Sequence, residues 1–123
     1  MELLDTSAVI GLLRGNKEIE EIVAEEDETF CTCFPVQCEL YRGTKLSRRT
    51  KEGEKEVESL LDELEHLEAG KEAAKKVAEL KEKYSEISNF DLMIAGICLV
   101  NDVEIITKDH DFTKIHKLKV QTI

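Results

Sequence analysis

The 123 residues of the chain suit one domain and leave no room for a second. With 41% hydrophobic and 36% charged residues, one Pro and no Trp, the composition is that of a soluble globular protein, not a collagenous, disordered or membrane-spanning one. The formal charge of −10 argues at first sight against a nucleic-acid partner.

In chain order, Glu2–Leu4 reads as a short strand ending at Asp5. Residues 1–5 contain neither a basic stretch nor an apolar core, so no secretion signal is expected and the expected compartment is the cytoplasm. Thr6 and Ser7 suit the cap of a helix carrying Val9, Ile10, Leu12 and Leu13. Gly15 stops it, and Asn16 caps a second helix reaching about Glu26, with Ile19, Ile22 and Val23 on one face. Thr29–Cys33 reads as a buried strand, and Pro35 suits the first turn of a helix running through Leu40 to about Lys45. From Arg48 to about Leu64, Val57, Leu60, Leu61 and Leu64 recur at helical spacing among charges. His66–Glu68 is a candidate short strand before Gly70, after which Ala73, Val77, Leu80 and Tyr84 mark a second charged outer helix. Ser88 and Asp91 have the spacing of a capping box opening the segment Leu92–Val100, which is apolar all round and so packed on more than one side. Glu104–Thr107 reads as a strand, Asp111–His116 as a short helix and Val120–Ile123 as a last strand.

Strands alternating with helices imply an α/β protein with a layered, mostly parallel sheet. The four cysteines, Cys31, Cys33, Cys38 and Cys98, are expected to be reduced thiols. Cys31 and Cys33 point to the same face of their strand, where burial accounts for both. The alternative, a zinc site with Cys38, lacks a CxxC pair or a nearby His.

Open parallel sheets place their ligands at the carboxyl ends of the strands, and that rule selects residues. Asp5 ends the first strand, Asp109 and Asp111 follow the strand Glu104–Thr107, Asp91 stands in the first turn of the buried helix, and Glu39 lies on the flank of the third helix. Each has an ordinary reading. Asp5, Asp109 and Asp111 could cap helices, Asp91 could serve the capping box and the helix dipole, and Glu39 could be a solvated charge. Together they imply more, because two carboxylates ~4 Å apart repel by about 4 kcal/mol at an effective dielectric of ~20. Several in one cleft require protonation or a cation. Oxygen-only donors suit Mg²⁺ or Mn²⁺, which can activate water and clamp a phosphodiester.

Four blocks carry a resemblance to a known family: Leu4 to Ala8, Cys38 to Gly43, Ile87 to Ala95 and Ile106 to Phe112. In this order, and spanning essentially the whole chain, they resemble the PIN-domain ribonucleases and, within them, the VapC toxins of toxin–antitoxin pairs. The resemblance implies a PIN-like three-layer α/β/α fold over residues 1–123 and a Mg²⁺- or Mn²⁺-dependent endoribonuclease. It also implies a homodimer and an antitoxin partner. Carried over block by block, the family's acidic quartet falls on Asp5, Glu39, Asp91 and Asp109. Ser7 or Thr107 would place a metal-bound water, and Asp111 would be an auxiliary acid. The helical region 48–84 is more charged than the family pattern.

Three other readings stand beside this one. A haloacid-dehalogenase-type phosphatase needs an Asp-x-Asp pair, but Asp5 is followed by Thr6 and Ser7. A phospho-receiver domain needs two adjacent acids at the first strand end. The rival of a different class is a non-catalytic PIN-fold module that only binds protein. The charge distribution bears on substrate approach: residues 31–51 hold five bases (Arg42, Lys45, Arg48, Arg49 and Lys51) against the single acid Glu39. This basic island, beginning one helical turn after Glu39, is the candidate RNA-binding track. Its alternatives are a solubilising loop or a docking surface for an acidic partner.

Overall fold

The structure, a computed structural model, describes residues 1–25 and 29–123. The described elements, in order, are β1 (Glu2–Leu4), α1 (Thr6–Leu13), α2 (Lys17–Glu25), β2 (Phe30–Cys33), α3 (Phe34–Lys45) and α4 (Thr50–Leu61). There follow β3 (Glu65–Leu67), α5 (Lys71–Lys83), α6 (Asn89–Asn101), β4 (Glu104–Thr107), a 3-10 helix (His110–Lys114) and β5 (Val120–Thr122).

The five strands form one sheet in the order β3-β2-β1-β4-β5, and every pairing is parallel. β1 is central, which is why three residues suffice for it: Leu3 and Leu4 are fully buried between β2 and β4. The chain steps outward from β1 through β2 to β3, then returns across the sheet to β4. Right-handed crossovers therefore put α1–α4 on one face and α5–α6 on the other, giving three layers. Both faces of the central strands are covered, so successive residues such as Leu3 and Leu4, or Ile105 and Ile106, are apolar and buried alike. Leu3, Cys31 and Ile105 share one face by register; Leu4 and Ile106 share the other.

α6 explains its own composition. Leu92, Ile94, Ala95, Ile97 and Cys98 are all buried, between the sheet and α5. A Cβ built on Gly96 would stand 2.5 Å from Val77 Cγ2, so glycine sets how closely α5 approaches α6. By contrast, Val57 is the buried residue of α4, and Ala73 and Leu80 those of α5, as their charged outer faces imply. No helix among the described residues is long and apolar enough to cross a membrane.

Several boundaries differ from the sequence reading. Thr6 and Ser7 do not cap α1. Asp5 occupies the N-cap position, with no capping bond from its side chain, and the two hydroxyls of the first turn reach elsewhere. Gly15 does end the helix region, at φ +74°, and Asn16 Oδ1 accepts from the backbone N–H of Glu18 at 3.0 Å. Glu26, the expected end of α2, lies outside the described residues. α4 runs only from Thr50 to Leu61, because Arg49 and Asp62 are its flanking caps. The expected last helix is a 3-10 turn starting at His110, and α6 begins at Asn89, directly after its Ser88 cap.

Cys31 and Cys33 are fully buried, and burial pushes both thiols up to about 12. Both thiols are therefore protonated at neutral pH in the metal-free chain.

Candidate active site

The carboxyl ends of β1 and β4 meet at Asp5. Its backbone N–H donates to Ile106 O at 3.0 Å, extending the ladder by one residue and fixing where the side chain emerges. Asp5 is 5% exposed. Thr107 Oγ1 donates to Asp5 Oδ2 at 2.7 Å and accepts from the Asp109 N–H at 2.9 Å. Ser7 Oγ lies 3.4 Å from both Asp5 Oδ2 and Thr107 Oγ1, and accepts from the Lys108 N–H at 3.0 Å. Ser7 and Thr107 are thus built into the support of Asp5.

Glu39 approaches from the other side. α3 starts as soon as β2 ends, with Pro35 in its first turn, and its sixth residue is Glu39. Glu39 Oε1 accepts a 2.8 Å hydrogen bond from Thr6 Oγ1. The sequence reading missed this use of Thr6, since a threonine beside a helix start has the appearance of a cap.

Asp91 fills the ordinary role and faces the cluster as well. Its N–H donates to Ser88 Oγ at 3.2 Å, so the Ser88 cap forms. Asp109 is likewise an N-cap: its Oδ1 accepts from the Asp111 N–H at 2.9 Å. Asp111 turns away, pairing with Lys114 Nζ at 2.9 Å.

Electrostatics join the four. Burial raises the Asp5 carboxyl above its ordinary value. The Thr107 hydroxyl and the Thr6 N–H pull it back, and the charges of Glu39 and Asp109 add to the rise. The Asp91 carboxyl is pushed up to about 6, first by burial and then by the charges of Asp5, Asp109 and Glu39, against a lowering hydrogen bond with Ser88. Asp111 does not figure in this field. As the side chains stand, no three His, Cys, Asp or Glu groups among the described residues are arranged to hold a metal ion. The donor set is nevertheless all oxygen, acidic and partly buried, which fits a hard divalent cation that removes the mutual repulsion.

The basic island is only partly available. All five of its side chains are exposed. Lys45 pairs with Glu54 at 2.8 Å, and Arg49 pairs with Glu52. Arg42, Arg48 and Lys51 have no ion pair among the described residues. At about 1.5 Å of rise per residue, Arg42 stands about one turn along α3 from Glu39.

The sequence profile of the PIN domain family matches residues 3–118. The chain belongs to the PIN-domain family. A search of curated protein sequences finds no significant match. Among solved structures, this PIN domain is similar to a chain of VapBC2 from Rickettsia felis bound to a DNA fragment from its promoter (18% identity, 99% of this chain and 98% of that one, TM-score 0.91). It is also similar to VapBC-5 of Mycobacterium tuberculosis, a member of the VapBC family of toxin–antitoxin systems (25% identity, 99% and 96%, TM-score 0.73). A third similar structure is the sarcin–ricin loop cleaving toxin VapC20 from the same organism (14% identity, 93% and 94%, TM-score 0.71). The PIN fold of this chain is therefore the one used in VapBC pairs.

Proposed function

We propose that the chain is a metal-dependent endoribonuclease of the VapC type, hydrolysing RNA phosphodiester bonds with Asp5, Glu39, Asp91 and Asp109. The observation that carries this reading is the shared field of these four carboxylates, gathered from β1, α3, α6 and the end of β4. A scaffold without a ligand gains nothing from such repulsion. Membership of the PIN family and the fold likeness to a sarcin–ricin loop cleaving toxin support the same reading.

In this reading Asp5, Glu39, Asp91 and Asp109 would together hold Mg²⁺ or Mn²⁺. The bound ion would supply Lewis acidity and an activated water for in-line displacement at phosphorus. The chain's own residues do the rest. Thr107 fixes the Asp5 carboxylate, Ser7 offers a second hydroxyl beside it, and burial excludes bulk water from that side of the cleft. Asp111, tied to Lys114 and outside the field of the four, is left without a part in this chemistry.

Two partner surfaces accompany this reading. A groove of about 270 Å³ between α1, α3 and α4 is lined by Ile10, Leu13, Leu40 and Val57 and reaches Glu39. An antitoxin segment lying there can bring a cation, Arg fitting best, to the carboxylates and block metal or RNA. A separate apolar groove of about 360 Å³ between Phe34, Val77 and Met93 suits a second copy of the chain.

The test is cleavage of single-stranded RNA in Mn²⁺, with excess EDTA and Asp5→Asn as controls. Both controls are expected to abolish cleavage while the variant stays folded. Thermal melts add a readout free of substrate: Mn²⁺ raises the melting temperature of the wild type and not of Asp5→Asn. Full activity in EDTA or in Asp5→Asn refutes the mechanism. A melt indifferent to Mn²⁺, together with no cleavage, assigns the chain to the non-catalytic binding class.

A further inference from the structure

Thr6 stands in the first turn of α1, four residues after Glu2 of β1, so no helical carbonyl lies one turn behind it. A threonine inside a helix usually turns its hydroxyl back to such a carbonyl. Here the hydroxyl crosses instead to another helix, donating to Glu39 Oε1 at 2.8 Å over a separation of 33 residues. The contact is partly buried, and Glu39 Oε2 accepts no hydrogen bond among the described residues.

A glutamate on a helix flank has three side-chain torsions to fix, and holding it in one geometry costs rotamer entropy. One hydrogen bond to Oε1 reduces that freedom and leaves Oε2 for another partner. From this geometry we infer that Thr6 is a positioning residue, whose hydroxyl tethers Glu39 beside the other carboxylates and restricts the motion left to it when a cation binds. The inference rests on the metal-dependent reading above and deepens it. It also separates Thr6 from Ser7 and Thr107, whose hydroxyls serve Asp5.

Calorimetric titration of the RNA-free chain with Mn²⁺ tests it. Thr6→Val keeps the β-branch and removes the donor. It is expected to weaken Mn²⁺ binding by about 10-fold or more, the scale found when a group supporting a metal ligand is removed. Thr6→Ser keeps the donor and is expected to bind Mn²⁺ within about threefold of the wild type. If Thr6→Val does not fold, Thr6→Ala takes its place, alanine being the best helix former. The coupling to Glu39 is read in a double-mutant cycle. In a Glu39→Ala background, Thr6→Val is expected to cause no further loss, because the group it positions is gone. Wild-type Mn²⁺ affinity in Thr6→Val, or an equal loss with and without Glu39, overturns the inference and leaves the metal-dependent reading intact. A wild-type chain that binds no Mn²⁺ overturns that reading and this inference together.

Discussion

Thr107 Oγ1 and Asp5 Oδ2 lie 2.7 Å apart although 102 residues separate them in the chain. The bond joins the ends of the two neighbouring strands β1 and β4, and it is buried. Asp5 depends on it, because the Thr107 hydroxyl is the strongest influence opposing the rise of its pKa by burial. Sheet register thus sets the chemistry: pairing Leu4 with Ile106 brings the next residues, Asp5 and Thr107, side by side.

Thr107→Val is the matching perturbation, since the shape is kept and the donor is removed. A buried acceptor left without its partner costs about 1–3 kcal/mol. Urea unfolding at pH 7 is expected to show a loss in that range for Thr107→Val, and Mn²⁺ binding is expected to weaken as Asp5 becomes harder to ionise. Unchanged stability and unchanged Mn²⁺ affinity would mean that the hydroxyl does not support Asp5.

Asp91 predicts a pH dependence. Its carboxyl titrates at about 6 in the folded chain against an ordinary 3.8, so between those values the folded state holds more protons than the unfolded one. By linkage this carboxyl lowers the stability of the metal-free chain as pH rises through that window. Asp91→Asn removes the slope. The variant's melting temperature minus that of the wild type is expected to grow from pH 4 to pH 6 and then level off, in EDTA. Mn²⁺ competes with the same proton, so its affinity for the wild type is expected to rise with pH up to about 6. A pH-independent difference in melting temperature between the two chains would refute this account.

Much of this was legible in the sequence, and the reasons are specific. Asp5 and Asp109 follow strands, and a parallel sheet gathers strand ends, so topology alone selects them. Asp91 was legible twice, as the fourth residue of a capping box and as an acid at the start of a helix too apolar to face solvent. Glu39 was weaker, since a glutamate on a helix flank has no local mark of function. Thr6 was misread because a cap and a cross-helix donor call for the same hydroxyl. The ion pairs within the basic island were legible only in part. Arg49 and Glu52 are three residues apart and could have been paired by inspection, but the pairing of Lys45 with Glu54 depends on how α4 folds back on α3.

Phe34 is 67% exposed and Met93 40%, and both line the same apolar groove. Exposed large apolar side chains that share a groove with Val77 and Ile97 mark an interaction surface. Light scattering at micromolar concentration is expected to give twice the 14.0 kDa chain mass. Phe34→Glu combined with Met93→Glu is expected to give a monomer with a near-normal thermal melt. A monomeric wild type removes the homodimer from the reading without touching the carboxylates.

Substrate approach is the final problem for a protein of charge −10. RNA meets repulsion over most of the surface, so phosphates need cations that are not already committed. Arg42, Arg48 and Lys51 meet that requirement, whereas Lys45 and Arg49 are engaged by acids of α4. If the island binds RNA, removing one phosphate-neutralising charge should flatten the dependence of log affinity on log salt by about 0.7 for a single strand. Arg42→Ala with Arg48→Ala is therefore expected to flatten the slope by about 1.4 and to weaken binding most at low salt. Lys45→Ala with Arg49→Ala is expected to change it less, because each of those charges must first leave a carboxylate. Mn²⁺ affinity is expected to stay the same in both pairs, since none of the four residues belongs to the acidic cluster. Fluorescence anisotropy with a labelled RNA over a salt series measures all of this. An unchanged slope in the first pair would assign the island to a protein partner.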